Sequence, residues 1–467
     1  MSLSYRASLL LLLLSFAPGI IGAANAPDLH IPLATHTLKN GLRIVVSEDH
    51  SSPIFGFCVS YGVGFRREDE GRAGFAHLFE HMMFEGTPDV PKGVMSEVVE
   101  GAGGEISADT RSDRTQFVSG GPTSALDAVL WLEADRMEAL AISEKSFQNE
   151  RNVVKEEIRT NVLNQPYGLF YVLDLPQKAF DTFPNNHNFY GDFNDLDSAN
   201  LAGVRDFYAE YYAPGNAVIA IVGDVNAEEV FRKADKYFGQ LPGRDVPPPP
   251  DAREAQQKAE RQSTEYDPLI KLPAFAVGYR MPPHGSHDAI VAAVAGDILH
   301  DGDASLLYRQ LVKEKKIAVT VRGGLNWPLG NYYEYNGPTL MTSFIVSPPG
   351  TSMDAVLSAY DRAVAQLASG ETTSAELQRA VNKMRSDLID QLEPPLERAS
   401  FLAEATLYDG TADSVNAIPR ELEQVTPRDI QEFAQKYLVL QNRTVIARLP
   451  SPAAAPSPDA AKKASHE

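Results

Sequence analysis

Two histidines and a glutamate, His77, Glu80 and His81, stand close together in the segment GFAHLFEHMMF at 74–84. On a helix His77 and His81 lie four residues apart, about 40° around the axis, so both imidazoles leave one face at a spacing a single zinc ion can bridge. Glu80 follows His77 by three residues and lies on the same side without having to ligate. That placement suits a general base taking a proton from a zinc-activated water. The order H-x-x-E-H inverts the commoner H-E-x-x-H of zinc peptidases. Such a site needs a third protein ligand and an open position for water. The segment ERNVVKEEIR at 150–159 offers Glu150, Glu156 and Glu157. Glu150 and Glu157 are two turns apart along one helix face, while Glu156 points about 100° away. Taken alone, these carboxylates read as a charged helix surface.

Holding such groups requires a folded scaffold, and the chain carries the pattern of one α+β unit used twice. Strand-like runs at 42–46, after the Asn40-Gly41 turn, and at 54–61 open the first half. Helical stretches follow at 73–84, 94–100, 125–141 and 144–164, and the strand-like AVIAIV at 217–222 closes it. The second half opens with a strand-like 274–278 and continues through helical 288–299 and 305–315, a strand at 340–346 and helices at 352–368 and 374–392. RTVIAR at 443–448 ends it. Strands and helices segregated in this way, in two stretches of similar length, predict an internal duplication. The expected boundaries are a signal peptide at 1–26, an N-terminal domain at 30–245, a Pro-rich and polar linker at 246–264, a C-terminal domain at 265–449 and a disordered tail at 450–467.

Composition narrows the function. The 467 residues are 43% hydrophobic and 22% charged, which is ordinary for a folded protein. Lys and Arg total 42 against 62 Asp and Glu, a net charge of −20 that argues against a nucleic-acid surface. The single cysteine, Cys58, excludes an intrachain disulfide framework and any multi-cysteine metal site, so a metal must be held by His and carboxylates. Cys58 itself sits in an apolar strand and is expected to be buried and unreactive. The N-terminus has Arg6, then an apolar run containing six consecutive leucines, then small residues ending in an A-x-A at Ala26. This predicts export to the periplasm, with secretion as the alternative; cleavage after Ala23 or Ala24 fits equally. No later stretch is apolar enough to span a membrane.

With these segments in order, the chain resembles the pitrilysin or insulinase family of inverted-motif zinc peptidases, in its mitochondrial-processing-peptidase-like, half-length bacterial branch. The resemblance runs through LKNGLR at 38–43, 71–87 around the inverted motif, GGE at 103–105, 150–158, QPYG at 165–168, YAPGN at 212–216 with VGD at 222–224, and ASLLYRQLVKEK at 304–315. It implies His77, His81 and Glu157 as zinc ligands, the long interval after His81 favouring Glu157 over Glu156. Glu80 is implied as the base and Glu150 as a supporting carboxylate of the catalytic site. The implied fold is two α/β-sandwich halves that make half of a clam-shell chamber. Substrate is implied to lie extended against an edge strand at 106–110, touching Ser107 and Ala108, with Phe84 lining a neighbouring pocket.

Two positions depart from the family pattern. Ser107 stands where relatives carry Asn, keeping a hydroxyl but losing reach. In the segment 311–319, where relatives that complete the site carry Arg and Tyr seven residues apart, this chain has Val312 and Val319. The reading is therefore a zinc-bearing endopeptidase subunit whose homologous partner supplies the Arg and Tyr in a heterodimer. The alternative is a non-catalytic assembly subunit. His284, His287 and His300 read as surface-loop residues rather than metal ligands, His187 as structural, and the Tyr332, Tyr333 and Tyr335 cluster as an aromatic core strand.

Overall fold

The structure, a computed structural model, describes residues 29–451. The expected signal peptide and all but the first two residues of the expected tail lie outside the described residues. Those two, Pro450 and Ser451, belong to or follow the last strand.

Two mixed sheets form the frame. The first contains β1 (Ala34–Thr37), β2 (Arg43–Glu48), β3 (Ile54–Tyr61), β4 (Glu105–Thr110), β5 (Thr115–Pro122) and β6 (Ala217–Gly223), in the order β1-β2-β6-β3-β5-β4. The second contains β7 (Arg261–Asp267), β8 (Ala274–Arg280), β9 (Thr320–Leu325), β10 (Leu340–Val346) and β11 (Arg443–Pro450), in the order β7-β11-β8-β10-β9. The pairings repeat. Parallel β2 and β6 correspond to parallel β7 and β11, and the next three pairs are antiparallel in both sheets. The two halves thus share one topology, and the protein is α+β with helices over two sheets.

Strands β3 and β6 are apolar at nearly every position because both faces of the sheet are covered. Side chains alternate across a strand, so Phe57, Val59, Ile219 and Ile221 join the N-terminal core, while Cys58, Val218, Ala220 and Val222 face the other way. That second face is covered by a helix from the other half, Pro395–Asp409, through Ala399, Phe401, Leu402 and Ala403. The exchange is reciprocal. The helix Asp174–Ala179 of the first half packs on β8 and β11, where Leu175 and Ala179 join Ala274, Ala276 and Ile446. Gly56 is what lets the Pro395 helix in: a Cβ at this position would lie 2.3 Å from the Pro395 carbonyl.

The expected linker follows the surface without regular structure as far as β7, but it is pinned. Glu254 accepts hydrogen bonds from the backbone of Asp181 and Thr182 and from Asn185, and buried Gln257 donates to the Arg443 carbonyl. Tyr332 and Tyr333 lie in a turn and Tyr335 in irregular chain rather than in the expected strand, because Asn326 and Asn331 hold the loop through hydrogen bonds to its own backbone. No helix among the described residues is long and apolar enough to cross a membrane.

Candidate metal centre

The inverted motif lies on α1 (Phe75–Met82), a helix whose Phe75, Ala76, Leu78, Phe79 and Met82 are buried in the N-terminal core. The 3.6-residue period then leaves His77, Glu80 and His81 on the opposite, half-buried face. The start of α1 is anchored by buried Glu68, which accepts from the backbone N–H of Gly74 (2.9 Å) and Ala76 (2.7 Å) and pairs with His187 (2.9 Å). A carboxylate at this end also suits the helix dipole. Burial pushes the Glu68 carboxyl up, against the pull of His187. Gly74 has φ 93°, and a Cβ there would meet the Cα of Gly191 at 2.5 Å. Only glycine allows that approach, which carries Tyr190 to an edge-on contact with His77, ring centroids 5.1 Å apart.

The second contributor is α2 (Glu144–Glu157), opened by a Ser143–Ser146 capping box and buried along Phe147, Glu150 and Val154. One turn beyond Val154, Glu157 meets both imidazoles. Its two oxygens lie 3.5 Å from His77 Nε2 and 3.5 Å from His81 Nε2, and the two Nε2 atoms are 3.4 Å apart. A tetrahedral zinc ion with bonds of about 2.1 Å separates its ligand atoms by about 3.4 Å. Two imidazole nitrogens and a carboxylate that sets one oxygen toward each of them at these distances therefore fit zinc in both chemistry and size. Among the described residues this is the one group of three or more such side chains able to hold a metal ion. Glu156 points away and accepts from Arg159.

Glu80 stands beside this cluster. Burial pushes its carboxyl up, and Thr110 of β4 opposes that by donating to Oε2 at 2.7 Å. Thr110 lies within the segment expected to bind substrate, but its contact with Glu80 left no trace in the sequence pattern. Glu150 lies behind His81, with Oε2 3.5 Å from Nδ1, and also accepts from Asn149 (2.7 Å) and Lys92 (3.2 Å). The His81 contact leads in pulling it down to about 2. It thus orients the ring from the side away from Glu157, a positioning residue rather than one that reaches the reacting atoms.

The remaining expected residues divide. Ser107 and Ala108 lie on β4, which is the outer strand of its sheet and pairs only with β5; Ser107 is exposed. Phe84 is half-buried against the core, its ring 5.9 Å from Phe117 and under the Arg136 guanidinium at 5.6 Å. In the second half, Val312 packs against the core and Val319 is 56% exposed. His284 pairs with Asp409 (2.7 Å), but His300 is not the surface-loop residue expected: it ends the helix His287–His300, is buried by packing of that helix on the second sheet, and contacts Ser343 (2.6 Å). Cys58 is fully buried and its thiol is pushed up by that burial.

This fold and donor set define a zinc peptidase of the inverted-motif class. Residues 43–182 match the family model for insulinase (peptidase family M16), and residues 198–384 match that for the peptidase M16 inactive domain. The chain belongs to this family. It is 27% identical over 421 residues to the zinc protease PqqE of Helicobacter pylori, covering 89% of this chain and 93% of the relative. It is 23% identical over 432 residues to mitochondrial-processing peptidase subunit beta of Bos taurus, covering 91% and 86%. The crystal structure of a protease from Helicobacter pylori superposes with a TM-score of 0.83 at 26% identity, over 90% of this chain and all of that one. In fold, the chain also matches 49% of the periplasmic protease PqqL of Escherichia coli, with a TM-score of 0.71 at 19% identity and 94% of this chain covered.

Proposed function

We propose that the chain is the zinc-bearing, catalytic subunit of an exported two-chain endopeptidase that hydrolyses peptides or unfolded segments within a closed chamber. The observation that carries the catalytic part is the spacing of His77, His81 and Glu157 beside a half-buried Glu80. A zinc ion held by those three would supply Lewis-acid activation of water and of the scissile carbonyl. Glu80 takes the proton of the attacking water and returns it to the leaving amine. Thr110 fixes the Glu80 carboxyl against β4. The open edge of β4 offers main-chain hydrogen bonds to an extended peptide, with Ser107 and Ala108 beneath it.

The partner is inferred from the second half. Val312 and Val319 offer neither a guanidinium to grip the substrate nor a phenol to stabilise the developing oxyanion. One relative is a named subunit of a processing peptidase, and the fold accounts for about half the length of another protease. Both fit a chain that closes its chamber against a homologous one, here carrying the Arg and Tyr. Export to the periplasm rests on the sequence of residues 1–26.

Glu80→Gln tests the catalytic reading: zinc content measured by metal analysis should be unchanged while peptide cleavage falls by at least about a hundredfold. A non-catalytic assembly subunit would lose nothing. The two-chain reading fails if the zinc-loaded chain alone cleaves peptides at a rate that a homologous Arg/Tyr-bearing partner does not raise.

A further inference from the structure

The two imidazoles of the metal centre are backed differently. His81 turns Nε2 toward Glu157 and Nδ1 toward the Glu150 carboxylate, whereas His77 Nδ1 is buried and has no hydrogen-bond partner. A metal-bound histidine ordinarily donates its second ring N–H to an acceptor that fixes the ring, and His77 lacks one. What stands against it instead is Tyr190, with ring centroids 5.1 Å apart and planes at 72°. Edge-to-face contact of this kind is directional, because the positive edge of one ring meets the negative face of the other. Tyr190 is itself firmly held. Its N–H donates to Asn188 Oδ1 at 3.0 Å, Gly191 lies against Gly74 at the start of α1, and His187 pairs with Glu68, which holds that same helix start. From this anchored loop the Tyr190 hydroxyl accepts from Asn161 Nδ2 at 3.0 Å, and Asn161 lies in the π-helical turn Ile158–Leu163 that continues α2 directly after Glu157. One side chain thus touches His77 on α1 and the chain four residues beyond Glu157.

We propose that Tyr190 is a positioning residue of the metal centre: its ring holds the His77 imidazole in the ligating orientation in place of a hydrogen-bond acceptor, and its hydroxyl keeps the Glu157 end of α2 in register with α1. The inference rests on the reading of His77, His81 and Glu157 as zinc ligands. It divides the support of the two histidines between different forces, a carboxylate behind His81 and an aromatic ring beside His77. The ring carries the larger share, because it touches a ligand directly. The hydroxyl acts only through the chain after Glu157, by a hydrogen bond that is open to solvent.

Zinc affinity of the full chain, measured in competition with a chelator, tests this without a cleavage assay. Tyr190→Leu keeps an apolar side chain but no ring and should weaken zinc about tenfold or more. Tyr190→Phe restores the ring without the hydroxyl, and Asn161→Ala removes the donor to that hydroxyl at an exposed position. These two should weaken zinc equally, each by about threefold. Cobalt(II) in place of zinc reports the ligand geometry through its visible absorption, which Tyr190→Leu should lower and Tyr190→Phe should keep. Thermal melting of the metal-free chains, expected to be the same for all four, separates loss of the site from loss of the fold. Unchanged zinc affinity in Tyr190→Leu, equal losses in Tyr190→Leu and Tyr190→Phe, or Asn161→Ala without effect overturns the proposal and leaves the zinc reading standing. A parent chain that binds no zinc, or whose affinity His77→Ala does not change, overturns the zinc reading and the proposal with it.

Discussion

Glu80 and Glu150 are carboxylates of the same site that their surroundings drive in opposite directions. Burial holds Glu80 up, whereas the His81 contact leads Asn149 and Lys92 in pulling Glu150 down. Position separates the roles proposed for them: Glu80 stands beside the His77–His81–Glu157 cluster, held by Thr110, and Glu150 lies behind the His81 ring. Glu150→Gln should therefore weaken zinc about 10- to 100-fold in competition with a chelator, while the zinc-saturated variant keeps most of its activity. His300 makes a separate residue-scale prediction. Its Nδ1 donates to the Gly296 carbonyl, its Nε2 accepts from Ser343, and burial lowers it to about 4. The unfolded chain takes up this proton near pH 6.5 and the folded chain only near 4, so folding loses stability as pH falls through that window, by up to about 1.4 kcal/mol per pH unit. Denaturant titrations of His300→Gln between pH 7 and 4.5 should show a shallower loss than the parent.

At the scale of elements, the decisive feature is the exchange of helices between the halves. The Pro395–Asp409 helix lies on β3, β5 and β6 of the other half, and Gly56 admits its first turn. Gly56→Val should destabilise the whole chain by about 3 kcal/mol or more, since the atoms it meets are backbone and cannot rotate aside. Thermal melting should show one transition at lower temperature rather than two, because neither sheet is covered without the other half. This element was not legible in the sequence. The Pro394-Pro395 pair obscures its start, and its apolar face matches a surface more than 150 residues away in the chain. α1 and α2 were legible because an i, i+4 histidine pair and a two-turn carboxylate spacing are local consequences of helix geometry.

At the scale of the molecule, the net charge of −20 bears on what approaches the site. A strongly acidic surface raises the local concentration of cations, and salt screens that effect over about 10 Å at 0.1 M. Matched basic peptides should be cleaved faster than acidic ones at low salt, with the difference shrinking as salt is raised; equal rates at low salt would count against steering. The shared topology of the two halves makes the same point about design. One unit was used twice, and among the described residues only the first copy carries a metal-binding set.

The sequence by itself determined the motif, the class of metal and the existence of two α+β halves, since each depends on local spacing or on composition. It left Glu156 and Glu157 undivided until the family spacing was applied; in three dimensions Glu157 spans both imidazoles and Glu156 turns to Arg159. Only the tertiary structure decided that Thr110 holds Glu80, that Glu68 and His187 anchor α1, and that β4 is an open edge. The Thr110–Glu80 and His187–Glu68 contacts join residues 30 and 119 positions apart, and no local periodicity encodes which distant strand or loop a helix face will meet. Packing both halves onto each other's sheets selects those pairings.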